Sequence, residues 1–166
     1  MFYENLLDAP RTTIHELEIA LRLVLAALFG GVLGLDREVR DRPAGLRTHM
    51  MTSLAAGLFT VITFEIFHTV RSVAHDANVD PIRIIEAVTA GVAFLAAGAI
   101  IQTRGHVEGL TTGAGMWMAG AIGVTCGAGY YALAVIATTL AFVILSVLHR
   151  LEKKYLNDSK PAAHDD

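Results

Sequence analysis

Residues 17–70, LEIALRLVLAALFGGVLGLDREVRDRPAGLRTHMMTSLAAGLFTVITFEIFHTV, place two long apolar runs on either side of a segment where charge is concentrated. As helices rising 1.5 Å per residue, Leu17 to Leu35 and Thr48 to Val70 each reach across a hydrocarbon layer about 30 Å thick. The charged stretch Asp36 to Arg47 then reads as the loop between two crossings. Glu18 and Arg22 stand i,i+4 near one end of the first run, a spacing at which Arg snorkels to the interface and pairs. The whole chain fits this reading. It is 54% hydrophobic and only 17% charged, with a mean hydropathy of +0.51, more apolar surface than a soluble domain of 166 residues can bury.

Working outward, residues 1–12 form a polar arm, and Thr13-x-x-Glu16 ahead of an apolar run is a capping-box pattern that starts helix 1. The N-terminus has no basic stretch followed by a short apolar core and a small-residue cleavage site, so helix 1 is expected to stay as an anchor. Asp80-Pro81 supplies an N-cap and a helix-starting residue for helix 3. Gln102 to Gly109 reads as a polar loop. Helix 4 is short and Gly-rich, with a length that suits either a full crossing or a re-entrant segment, and Gly127-Ala128-Gly129 turns the chain into helix 5. The expected architecture is an all-α integral membrane protein. One domain, residues 13–149, forms a compact bundle of about five transmembrane helices (13–35, 48–70, 81–101, 110–126 and 130–149), followed by a charged tail at 150–166.

Orientation follows from the 13 Lys and Arg residues. Nine of them (Arg37, Arg40, Arg42, Arg47, Arg104, Arg150, Lys153, Lys154 and Lys160) fall on one side of a five-helix chain, and four (Arg11, Arg22, Arg71 and Arg83) on the other. The richer side is expected to be cytoplasmic, which puts the N-terminus outside and the C-terminus inside. Small residues recur on single helix faces, as in Gly30-x-x-x-Gly34, Ala93-x-x-x-Ala97 and the row Ala119, Gly123, Gly127. Together with Gly91 and Gly98 they mark Gly30, Gly34, Gly123 and Gly127 as Gly/Ala-rich packing positions, within the chain or in a homo-oligomer.

Two polar segments fall on the expected cytoplasmic side: GLDREVRDRPAGLRTHM, residues 34–50, and HVEGLTTGAGMW, residues 106–117. They predict one polar site drawn from Asp36, Arg37, Glu38, Arg47, Thr48, His49, Thr111, Thr112 and Trp117, with Glu38, Arg47 and Thr112 supporting it. The near balance of carboxylates and arginines suits mutual pairing better than a basic lipid-binding patch. At the opposite end stand the ionisable residues Arg22, Glu65, Arg83 and Glu86. Glu65 and His68 share a helix face without a third metal ligand nearby in sequence. A net charge of -3 with no basic face argues against nucleic acid, and the single Cys126 cannot form an internal disulfide. No Ser-His-Asp arrangement, phosphate loop or HExxH zinc pattern is present, so no enzyme, no catalytic residue and no cofactor is expected, with a metal site, magnesium first, left open.

Three stretches, GLDREVRDRPAGLRTHM, DPIRIIEAVTAGVAFLAAGAI and VEGLTTGAGMWMAGAIGVTCGAGYY, resemble successive blocks of the MgtC/SapB family across residues 30–131. Within that resemblance Asp36 stands where many members carry Glu, and Ala87 where a polar amide is frequent. The resemblance implies a multi-pass protein of the bacterial inner membrane, associated with growth under magnesium limitation and, in pathogenic members, with intracellular survival. It also implies, for some members, inhibition of the membrane ATP synthase. Longer members carry a soluble C-terminal domain that this chain is expected to lack. Two readings of function follow: a regulatory protein that contacts another membrane protein, or a small transporter or channel for magnesium or another cation. The second needs ionisable groups through the midplane, whereas the sequence gathers them at the two ends.

Overall fold

A computed structural model of the chain describes residues 12–73, 80, 82–103 and 106–155, which form five α-helices and one two-stranded hairpin. The expected polar arm up to Arg11 and the tail beyond Tyr155 lie outside the described residues. Helix α1 spans Glu16–Val39. Its N-cap is His15, whose Nδ1 accepts from the Leu17 N–H at 3.3 Å, in place of the expected Thr13 cap. The N–H groups of Thr13 and Ile14 donate instead to the two carboxylate oxygens of Glu65, at 2.7 and 2.9 Å. A carboxylate is a stronger acceptor than a hydroxyl, so Glu65 ties the entry of α1 to the far end of the next helix.

Helix α1 also runs four residues past its expected end, because Asp36 and Arg40 pair at i,i+4 and Arg37 lies in the last turn, where a cation complements the helix dipole. The expected loop of residues 36–47 therefore shrinks to Arg40–Gly45. Helix α2, Leu46–Val73, starts early for a related reason: its Leu46 N–H donates to Glu38 Oε2 at 2.9 Å. Helix α3, Arg83–Gly98, follows a turn in which Asp80 Oδ1 accepts from the Ile82 N–H at 2.9 Å. It is shorter than the expected 81–101. Residues Ile101–Thr103 (β1) leave the helix to pair antiparallel with His106–Glu108 (β2), in the register Gln102 opposite Val107, so the expected polar loop is a hairpin.

Helix α4, Leu110–Gly127, is continuous over 18 residues, about 27 Å. Helix α5, Tyr131–Tyr155, extends into the expected tail. Helix α4 occupies the middle of the bundle, touching each of the other four helices, and α1 with α2 forms the most extensive pair.

Around a core that includes Leu33, Val61 and Ile122, the exterior is apolar where that of a soluble bundle is polar. Leu17, Leu21, Val24, Leu28, Val32 and Leu35 make an exposed apolar stripe along the full length of α1, while His49, Ser53, Thr60 and Thr112 are at most 1% exposed. Buried threonines avoid a desolvation penalty by donating to the carbonyl four residues back, as Thr60 does to Ala56 O at 2.8 Å and Thr138 to Ala134 O at 2.7 Å. An apolar exterior of this extent is stable only against lipid or another protein. Helix α1 and residues Leu46–Ser72 of α2 are long and apolar enough to cross a membrane.

Candidate functional site at the α1–α2 turn

The end of α1 is the most polar part of the bundle. Its consecutive residues Asp36, Arg37 and Glu38 send three charged side chains to three different neighbours. Asp36 accepts from Arg40 Nε and Nη2 at 3.0 and 2.8 Å and from Ser146 Oγ of α5 at 2.8 Å. Arg37, only 7% exposed, donates through Nη2 to Thr112 Oγ1 in the first turn of α4. Glu38 reaches forward to cap α2, and a Cβ added at Gly45 would overlap its carboxylate. One helical turn thus holds α5, α4 and α2 at once.

His49, completely buried, faces this junction from α2. Its Nδ1 lies 3.0 Å from the Gly45 carbonyl oxygen, and its Nε2 has no partner among the described residues. That Nε2 sits 3.0 Å from where a Cβ on Gly115 would be, so glycine in α4 leaves the room the imidazole occupies.

Beside these contacts opens a cleft of about 530 Å³, walled by Arg37, Arg40 and Arg42 on one side and by Glu108 to Thr112 on the other, with Ile144 and Leu145 of α5 below. Thr111 is exposed on its wall. Among the expected site residues, Arg37 and Thr112 bond each other directly, and Asp36, Glu38 and His49 bond other residues of the same junction, Ser146, Leu46 and Gly45. Thr48 contributes its carbonyl oxygen, accepting from Thr52 Oγ1 at 2.8 Å, and Arg47 is exposed outside the cleft. Trp117 is 47% exposed and lines a separate groove of about 260 Å³ between α3 and α4, with Val88 and Val92, so it is not part of this site. Arg40, Arg42, Ser146 and Glu108 belong here although sequence reasoning left them out of the site. Ser146 had a signal: a hydroxyl in the otherwise apolar run of α5 has to find a partner.

At the other end, Arg22 pairs with Glu18 and donates through Nη1 to Gly127 O at 2.9 Å, closing the last turn of α4. Arg83 and Glu86 are exposed at the start of α3. No three His, Cys, Asp or Glu side chains converge among the described residues, so Glu65 and His68 gain no third ligand. The glycines divide. A Cβ on Gly30 would lie 2.6 Å from His49 O, one on Gly34 2.7 Å from Leu46 Cα and one on Gly127 2.5 Å from Gly57 O, while one on Gly123 would overlap the Ser53 carbonyl. Gly91 and Gly98, expected to pack as well, would meet nothing within 4 Å. They lie on exposed positions of α3, whose packed side is made by Val88, Val92 and Ala96.

A helical protein with an apolar exterior, a backbone-tight glycine interior and charged groups gathered at its ends is a membrane protein. Comparison with known sequences places it further: the MgtC family pattern matches residues 23–154, and the chain belongs to that family. It is 36% identical over 140 residues to YhiD of Escherichia coli, a protein provisionally named as a magnesium transporter, covering 84% of this chain and 65% of YhiD. It is 35% identical over 145 residues to SrpB of Synechococcus elongatus, covering 82% and 78% of the two chains. Against MgtC of Brucella abortus it is 36% identical over 126 residues, covering 76% of this chain and 49% of that one. The chain therefore spans less than two thirds of YhiD and about half of the Brucella protein. No solved structure matches it.

Proposed function

We propose that this chain is a multi-pass inner-membrane regulatory protein of magnesium adaptation, acting by contact with another membrane protein. The observation that carries this reading is the closed centre of the bundle. Gly30 and Gly34 of α1 and Gly123 and Gly127 of α4 bring their helices against the backbone of α2, where an added Cβ would not fit, and an ion with its ligands is far larger than a Cβ. The charged groups stand at the two ends of that closed region, in line with five crossings, an outside N-terminus and a cytoplasmic C-terminus. The partner favoured by the family resemblance is the membrane ATP synthase.

Cation transport is the second reading, favoured by the name of the Escherichia coli relative. It requires a path between copies of the chain or along its outer faces. Reconstitution in liposomes separates the two. The regulatory reading expects no magnesium flux from wild type, and expects ATP-driven proton pumping in inverted vesicles to fall when the protein is added. Magnesium flux that disappears in Glu38→Ala or Glu65→Ala would establish transport instead.

A further inference from the structure

We propose that the cleft beside the α1–α2 turn binds a phosphoryl anion, the headgroup of an anionic phospholipid or a soluble phosphate compound. This goes beyond the regulatory reading and holds whether or not the protein moves an ion.

The first observation is an imbalance of charge. Arg37 is 7% exposed and lines the cleft, yet its partner is a hydroxyl and its Nε has no acceptor among the described residues. The nearby carboxylates are committed elsewhere, Asp36 to Arg40 and Ser146, and Glu38 to the start of α2. A buried guanidinium without a counter-charge is unfavourable, and its planar fork matches the oxygens of a phosphoryl group.

The second observation is the opposite wall. It is the N-terminus of an 18-residue helix, where first-turn N–H groups point outward and the dipole favours an anion. Gly109 occupies the N-cap at φ 87°, its carbonyl accepts from Gly113 N at 2.8 Å, and it has no side chain with which to cap the N–H groups of the first turn. A bound anion would face these donors from one side and the arginines from the other.

The lining carries three arginines, Arg37, Arg40 and Arg42, against one carboxylate, Glu108, which stands exposed on the cleft wall, so positive charge is in surplus there even with Arg40 paired to Asp36. The remaining walls, Leu110, Ile144 and Leu145, are apolar, and Leu110 and Ile144 are 60% and 55% exposed, so the cleft adjoins the outer apolar surface of the bundle.

The test uses the full chain in a neutral detergent. Binding of short-chain phosphatidylglycerol and of inorganic phosphate is measured separately, by native mass spectrometry and by the shift in thermal unfolding followed by circular dichroism. Saturable binding of the first alone identifies a lipid headgroup site, and binding of the second a site for soluble phosphate. Either is expected to weaken at least tenfold in Arg42→Gln, an exposed position that tolerates replacement, and in Arg37→Lys, which keeps the charge and loses the fork. Arg71→Gln, which removes the same charge from the other end of the bundle, is expected to bind as wild type does. If Arg37→Lys fails to fold, Arg42→Gln decides. Absence of saturable binding to both probes, or the same affinity in Arg42→Gln as in wild type, overturns the proposal.

Discussion

Helices α3 and α4 are both rich in small residues and use their glycines in opposite ways. In α4, Gly123 and Gly127 lie against carbonyl oxygens of α2, at Ser53 and Gly57, where only a hydrogen fits. In α3, Gly91 and Gly98 face outward, with nothing within 4 Å of an added Cβ, while the contact with α4 is made by Val92 inserting toward Gly120. Small residues permit close approach but do not compel it. A helix in the middle of a bundle meets neighbours on most of its faces, and one at the edge meets them on one.

The largest effect that sharpens this comparison is expected from Gly123→Leu. Its side chain cannot avoid the α2 backbone, and overpacking of that severity costs about 3 kcal/mol or more, read as earlier unfolding in a titration of mixed micelles with dodecyl sulfate. Next comes Thr112→Val. It leaves the buried Arg37 without its hydroxyl acceptor at a cost of roughly 2 kcal/mol in the same titration, and an unchanged midpoint would detach α4 from the polar end of α1. Gly45→Ala is expected to cost about 1 kcal/mol by pushing the Glu38 carboxylate off the start of α2. The double variant Gly45→Ala, Glu38→Ala should then cost less than the sum of the two single changes, and strict additivity would contradict the cap. The smallest effect belongs to Gly91→Ala, within about 0.5 kcal/mol of wild type and on the stabilising side through helix propensity. A loss comparable to that of Gly123→Leu would break the comparison.

The polar end shows how far a one-dimensional reading goes. Two polar segments singled out Asp36, Arg37, Glu38, His49 and Thr112, of which Arg37 and Thr112 bond each other, while Asp36, Glu38 and His49 bond Ser146, Leu46 and Gly45. What the pattern missed was direction. Consecutive residues on a helix point about 100° apart, so Asp36, Arg37 and Glu38 serve three different helices, and Arg40 is taken up by Asp36 within its own helix. Trp117 was drawn in by its nearness in sequence to Thr112, but five residues along α4 rotate it onto the α3 side. Glu65 was expected as an outer charge sharing a face with His68, and its capping of Thr13 and Ile14 across 52 and 51 residues has no local signal.

By itself the sequence determined that this chain is helical, that its long apolar runs suit lipid, and that its charge collects at the ends, because these depend on composition and on period along one strand of chain. Its motifs also carried the resemblance to the family whose pattern it matches. Only the tertiary structure decided which glycines close an interface, which helix Asp36, Arg37 and Glu38 each reach, and that Arg37 is left buried without a carboxylate partner. Those outcomes depend on how helices rotate about their own axes and which neighbours they meet, and that is set by packing of the whole bundle rather than by any segment of it.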